Sequence, residues 1–226
     1  MREYTIEQSS LTFKWTYKWI MPLVPTPGTP SFAALCKGLA PYDLEASRVT
    51  VDVPTTRFGD VTLGIALLNN RVALRLTPSF LELYVSNLYD GDEEKLLGIV
   101  DVAFAALKAV DPDSRQGEAH VRIASHLRLA PLENFTILYE HLKMSDSIPD
   151  LIPEAAVYQI DLPKESGTKE LRVVIAKSVA FEDALFVDFN SVYSGPVQPA
   201  ELARQVESDF NLVVEKLGLK EKADTL

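Results

Sequence analysis

Val85-Ser86-Asn87-Leu88-Tyr89-Asp90-Gly91 is echoed, position by position in polarity, by Phe189-Asn190-Ser191-Val192-Tyr193-Ser194-Gly195. Each stretch follows an apolar run and precedes a helical one, so both read as strand-to-helix turns. Their tyrosines stand 104 residues apart in a chain of 226, which points to one unit used twice.

Upstream of the first copy, Phe13, Trp15, Tyr17 and Trp19 alternate with Thr12, Lys14, Thr16 and Lys18, the period of a strand with one apolar face. The stretch Met21 to Pro30 carries Pro22, Pro25, Pro27, Gly28 and Pro30 and so must leave the sheet. A short helix is expected over Ser31 to Leu39, then strands over Arg48 to Val53, Val61 to Leu68 and Val72 to Val85, the last bent near Pro78. Asn69-Asn70 marks a tight hairpin between two of them. Asp92 is expected to cap a helix in which Leu96, Leu97, Val100, Phe104 and Leu107 recur at three and four residues until Asp111-Pro112.

The second half runs through a strand (Ala119 to Leu129), a helix (Leu132 to Met144), three strands (Val157 to Leu162, Leu171 to Val179, Ala184 to Val192) and a closing helix, Ala200 to Leu217. The expected fold is therefore α+β: duplicated β-α-β-β-β-α units, residues 1–113 and 114–226, forming one compact domain. Its strands make a curved, mostly antiparallel sheet with helices packed on one face.

Composition bounds the function. With 32 acidic and 22 basic residues the formal charge is −10, so the average surface repels nucleic acid and anionic membrane. One cysteine, Cys36, permits no internal disulfide and no multi-cysteine zinc site, and a cytoplasmic setting is expected. The apolar stretch Leu11 to Val24 is broken by Lys14, Lys18 and Pro22, so it reads neither as signal peptide nor as membrane span.

Strand parity proposes two surfaces. Arg71, Arg75, His120, Arg122, His126, Arg128 and Arg172 all oppose apolar neighbours on their strands, which predicts a basic open sheet face inside an acidic molecule. Between sheet and helices, Trp15, Trp19, Phe104 and Phe210 could instead line a cavity. The aromatic row could also stack bases, but its lysines lie on the opposite face, and core packing is the preferred reading.

Catalytic and metal chemistry find little support. His120 and His126 are roughly 20 Å apart on one strand, too far for one ion, and His141 belongs to a separate helix. No metal or cofactor is expected. Asp90-Gly91-Asp92-Glu93-Glu94 lacks the alternating ligands of a calcium loop and fits a helix start. Glu182, Asp183 and Asp188 suit turns better than an acid/base pair, and Cys36 in an apolar helix reads as an inert thiol. Neither a Gly-x-Ser-x-Gly elbow nor a glycine-rich phosphate loop is present.

Gly59-Asp60 before a strand, Leu185-Phe186-Val187-Asp188-Phe189, and the closing helix with Phe210 give the chain its resemblance to a sporadically distributed family of uncharacterised bacterial proteins of similar size. That resemblance implies no reaction, cofactor or site. The doubled element order also resembles saddle-shaped duplicated folds such as the TATA-binding protein, in topology alone. The leading expectation is a non-enzymatic binding module that engages a protein partner through the basic sheet face or the proline-rich loop, as an adaptor, chaperone-like protein or inhibitor. A small-molecule binder or enzyme with a sheet-helix cavity is the alternative, and single-strand nucleic-acid binding ranks third.

Overall fold

The structure is a computed structural model and describes residues 1–18, 24–53, 61–89, 91–113, 115–142, 155–160 and 167–222. Trp19, the start of the proline-rich stretch through Leu23, Gly59-Asp60, Asp90, Met144 and Leu162 lie outside the described residues, as does the side chain of His141.

The chain forms β1 (Arg2–Lys18), α1 (Pro30–Leu39), β2 (Val49–Asp52), β3 (Thr62–Leu67), β4 (Val72–Leu76), β5 (Phe80–Val85) and α2 (Glu93–Val110). There follow β6 (Arg115–Ala130), α3 (Leu132–Leu142), β7 (Ala155–Gln159), β8 (Thr168–Lys177), β9 (Ala184–Tyr193), α4 (Pro199–Lys216) and β10 (Leu219–Glu221). Ten strands make one sheet in the order β2-β3-β4-β5-β1-β6-β9-β8-β7, antiparallel throughout, with β10 pairing parallel to the start of β1. The fold is thus a mixed α/β protein with a large antiparallel sheet and four α-helices among the described residues.

Alternation decides which face is buried. Leu63, Ile65 and Leu67 on β3, Val72, Leu74 and Leu76 on β4, and Leu81, Leu83 and Val85 on β5 all point to one side. On β6 every odd residue from Ala119 to Leu129 is buried. Leu35 and Leu39 of α1, Ile99 and Ala103 of α2, Phe135 of α3 and Val213 of α4 join the same apolar cluster, which the strands alone could not keep from water.

The expected first unit needs correction. Val72 to Val85 is two paired strands, with Val72 opposite Val85 and Leu76 opposite Leu81, so four strands lie between α1 and α2 where three lie between α3 and α4. The Thr77 hydroxyl turns the chain by accepting the amides of Ser79 and Phe80 at 3.2 and 3.0 Å. Pro78 therefore sits in a hairpin turn and not at a bend. Asn69 and Asn70 do make the expected tight turn, with φ of 56° and 65°.

β1 also begins ten residues before Thr12. A bulge between Ile6 and Gln8 shifts the side-chain parity, placing Tyr4 and Ile6 on the same face as Ser9 and Leu11. Beyond the end of β5 the upper part of β1 would be left with one neighbour. β10 fills that place, pairing Leu219 with Arg2 and Glu221 with Tyr4. At the other end, Gly195 packs so closely on the Gly117 carbonyl that an added Cβ would meet that oxygen at 1.6 Å, which excludes any side chain there.

Candidate functional site

The four helices do not cover the sheet evenly. Between α2 and α4 lies a cleft of about 590 Å³, floored by Ser9, Leu11 and Phe13 of β1 and by Ile123 and Ser125 of β6. Leu97 and Val100 of α2 form one wall; Ala203, Val206 and Phe210 of α4 form the other. Ile6 and Tyr89 line it while remaining 41% and 61% exposed, so the cleft opens to solvent past them.

Its polarity is sparse and specific. Ser9 and Ser125 are both buried, and their hydroxyls meet at 2.8 Å in the middle of the floor. One hydroxyl donates to the other, which leaves one hydroxyl hydrogen and spare lone pairs for a further partner. Glu93 and Glu207 stand on the rim from the two helices, with Glu221 and Lys222 just after β10.

Of the residues expected to surround a cavity, Trp15 and Phe210 line the cleft. Phe104 lies behind, edge-on to Trp15 with ring centroids 5.4 Å apart. Trp15 is 1% exposed, and its Nε1–H has no hydrogen-bond partner among the described residues. Trp15 and Tyr17 of the aromatic row are therefore packed against Phe104 of α2, as core packing predicts for them. Ser9, Ser125, Leu97 and Ala203 escape sequence reasoning, although Ser125 leaves a signal: it is the polar residue in the otherwise apolar register of Val121, Ile123 and Leu127.

Two polar pins hold the flanking helices. Arg71 does not join the open face as parity predicts, because the turn at Asn69-Asn70 redirects it toward the start of α2. There its guanidinium grips both carboxylate oxygens of Asp92, donates to the Asn87 carbonyl at 2.8 Å and lies 4.7 Å from the Tyr89 ring centroid. Asp92 holds the expected N-cap position of α2, its carbonyl accepting the Leu96 amide at 2.9 Å, but its side chain caps no helix amide and instead accepts the Tyr89 amide outside the helix at 3.0 Å. The Arg71 hydrogen bond holds this carboxyl below the usual carboxylate range. Helix α4 is held differently. Buried Asp209 accepts from the Thr168 hydroxyl at 2.8 Å, the Tyr193 hydroxyl at 3.0 Å and the Gln205 amide at 3.1 Å. Burial pushes the Tyr193 phenol well up, which keeps it a donor.

The open face carries the remaining expected residues but satisfies much of their charge internally. Arg122 forks onto Asp188 at 2.7 and 3.0 Å, and Arg128 reaches Glu7 at 3.2 Å. Arg75 is cross-strand neighbour to Glu82, which also faces Lys14, and both cations lie over the Phe80 ring. His120 is 4.0 Å from Glu118, which is itself bridged to Lys169. Arg172 is exposed and has no ion-pair partner among the described residues. The strong basic field expected of this face is correspondingly diluted.

His126 is roofed by the turn after β8. Its Nδ1 lies 2.9 Å from the Ser178 hydroxyl, and its ring contacts Phe181 and Phe186. The pair has the spacing of a nucleophile and base, but Ser178 Oγ already accepts the amides of Ala180 and Phe181 at 3.1 and 2.9 Å. That oxygen is thereby engaged in holding the turn after β8. Asp188 is taken by Arg122, which removes it from any carboxylate pair. Cys36 is only partly buried in α1, with burial pushing its thiol up. Among the described residues no three His, Cys, Asp or Glu side chains could hold a metal ion, and no helix is long and apolar enough to cross a membrane. No protein-family model matches the chain, and no curated protein matches it.

Proposed function

We propose that the protein is a binding protein whose site is the cleft between α2 and α4, and whose ligand is a small molecule with an apolar body. The observation that carries this reading is the cleft itself: about 590 Å³ over a largely apolar floor, with a single buried hydroxyl pair at its centre. Ligand sites of this size characteristically combine apolar lining with few orienting polar groups. The open face supports a partner less well, since Arg122 and Arg128 already hold carboxylates of their own chain.

The test is titration with Nile red, a neutral apolar dye. Saturable one-to-one binding is expected for the native protein, and its loss is expected in Ala203→Trp, which fills the cleft from α4. Undiminished binding by a folded Ala203→Trp, checked by circular dichroism, would refute the reading.

We infer further that the two halves descend from one unit. The register supports this: Leu11 pairs with Ile123 at the centre of the sheet, with Val85 beside Leu11 and Phe189 beside Ile123. Val85 and Phe189 are the first residues of the two matching heptapeptides. On this reading the cleft straddles the seam, drawing one wall from each half. An experimental structure in which β6, β9 and α4 fail to superpose on β1, β5 and α2 would sink it.

A further inference from the structure

The cleft has a sign as well as a shape. The charged groups among its described lining are Glu93, Glu207 and Glu221 against Lys222 alone. Glu93 and Glu207 are exposed, belong to opposite walls, and have no ion-pair partner among the described residues. Arg71, the other cation near the mouth, is neutralised by Asp92. Inside, the floor offers hydroxyls and aromatic carbon, and no cationic side chain lines it.

An anionic head would have to leave water between the Glu93 and Glu207 carboxylates, with Lys222 the one cationic side chain in the described lining, which is unfavourable both by desolvation and by repulsion. A monovalent cation gains on each count. Its charge would lie near the two rim carboxylates, while its methylene or methyl groups would meet the faces of Phe13 and Phe210. The molecule already shows such a contact at this mouth, where the Arg71 guanidinium rests on Tyr89.

Resting on the cleft being the binding site, we propose that its ligand is a cationic amphiphile: an apolar chain or ring system ending in an ammonium group. The chain lies on the floor between α2 and α4, and the ammonium group sits at the rim between Glu93 and Glu207. Fatty acids and other carboxylates of the same length are discriminated against by those two residues.

The experiment displaces bound Nile red with decyltrimethylammonium, decanol and decanoate, all below their aggregation concentrations, at low salt. The cation should displace dye at about fivefold lower concentration than decanol, and decanoate should be the weakest of the three. In the double variant Glu93→Gln with Glu207→Gln the cation's advantage over decanol should fall to within about twofold, both displacements being referred to the Nile red affinity of that same variant. Glutamine keeps the size of both side chains, so loss of fold is not expected to intervene. Cation and alcohol displacing equally, or decanoate leading, would overturn the proposed ligand class while leaving the cleft as the site. A cation preference that survives the double variant would assign it to the overall charge of −10 and overturn the role of the rim. Absence of saturable Nile red binding by the native protein would overturn the cleft reading and this proposal with it.

Discussion

The two helices that flank the cleft are tied to the same sheet by opposite chemistry. Helix α2 is held at its first turn by an ion pair between Asp92 and Arg71, whereas α4 is held in its middle by a buried carboxylate surrounded by neutral donors. An ion pair ties two groups that each need the other. A carboxylate met by two hydroxyls and an amide is stabilised by several weaker bonds that fail one at a time. The wall from the first half should therefore depend on one charged partner, and the wall from the second half on several separate donors.

Removing the hub of the neutral network should have the largest effect. Asp209→Ala leaves the Thr168 and Tyr193 hydroxyls without that acceptor in a buried site, and a loss of about 3 kcal/mol is expected in urea unfolding. Tyr193→Phe, which removes one donor only, should cost about 1 kcal/mol. Equal losses for the two would break the picture of a divided network.

Next comes Arg71→Ala, expected to cost about 2 kcal/mol at neutral pH because it strands Asp92, whose side chain is 5% exposed. Here the sign of the pH dependence is fixed. The Asp92 carboxyl is held below the ordinary 3.8, so the contribution of the pair is complete above that value and disappears as pH falls through the lowered one. Native protein and Arg71→Ala should converge in stability in that acid range. A gap for Arg71→Ala that is independent of pH would remove the distinction between the two pins.

Smaller effects are expected on the open face, which belongs to neither pin. Burial lowers the His126 pKa below the ordinary 6.5, so the neutral ring is favoured in the fold and stability declines as pH falls from 6.5 through the lowered value. His126→Gln should flatten that part of the stability profile. Least of all should be Arg122→Ala, at about 0.5 kcal/mol, because its side chain is 56% exposed and the ion pair is screened. A loss as large as that of Arg71→Ala would give the open face a structural weight that its exposure does not suggest.

Much of the sheet could be read from alternation alone, because period-two burial is strong wherever one strand face is apolar, as over Phe13 to Tyr17 and Val121 to Leu129. The amphipathic stripes of α2 and α4 were equally plain. What resisted was governed by single residues acting out of period. The Glu7 bulge hides the first part of β1 by swapping its parity, and one threonine hydroxyl makes a hairpin of Val72 to Val85. β10, at three residues, is too short to show any period and exists because β1 has an empty flank. Arg71 misled for a related reason: parity fails in a turn whose residues have positive φ. The aromatic part of the cavity was legible from Trp15 and Phe210. The space itself was not, since it depends on how far apart two helices settle, and no local pattern encodes that distance.

The central position of β1 has a consequence for how the protein is made. This strand leaves the ribosome before any of its partners, yet it pairs with β5, then β6, and last with β10. Until Phe104 emerges, the row Phe13, Trp15 and Tyr17 has no helix to cover it, and its upper flank stays open until Leu219 has been synthesised. At ~5–20 residues per second that leaves an adhesive strand waiting for some ten seconds or more during every round of translation. Productive yield in a host cell should thus depend on what shields the nascent chain as much as on the stability of the finished sheet.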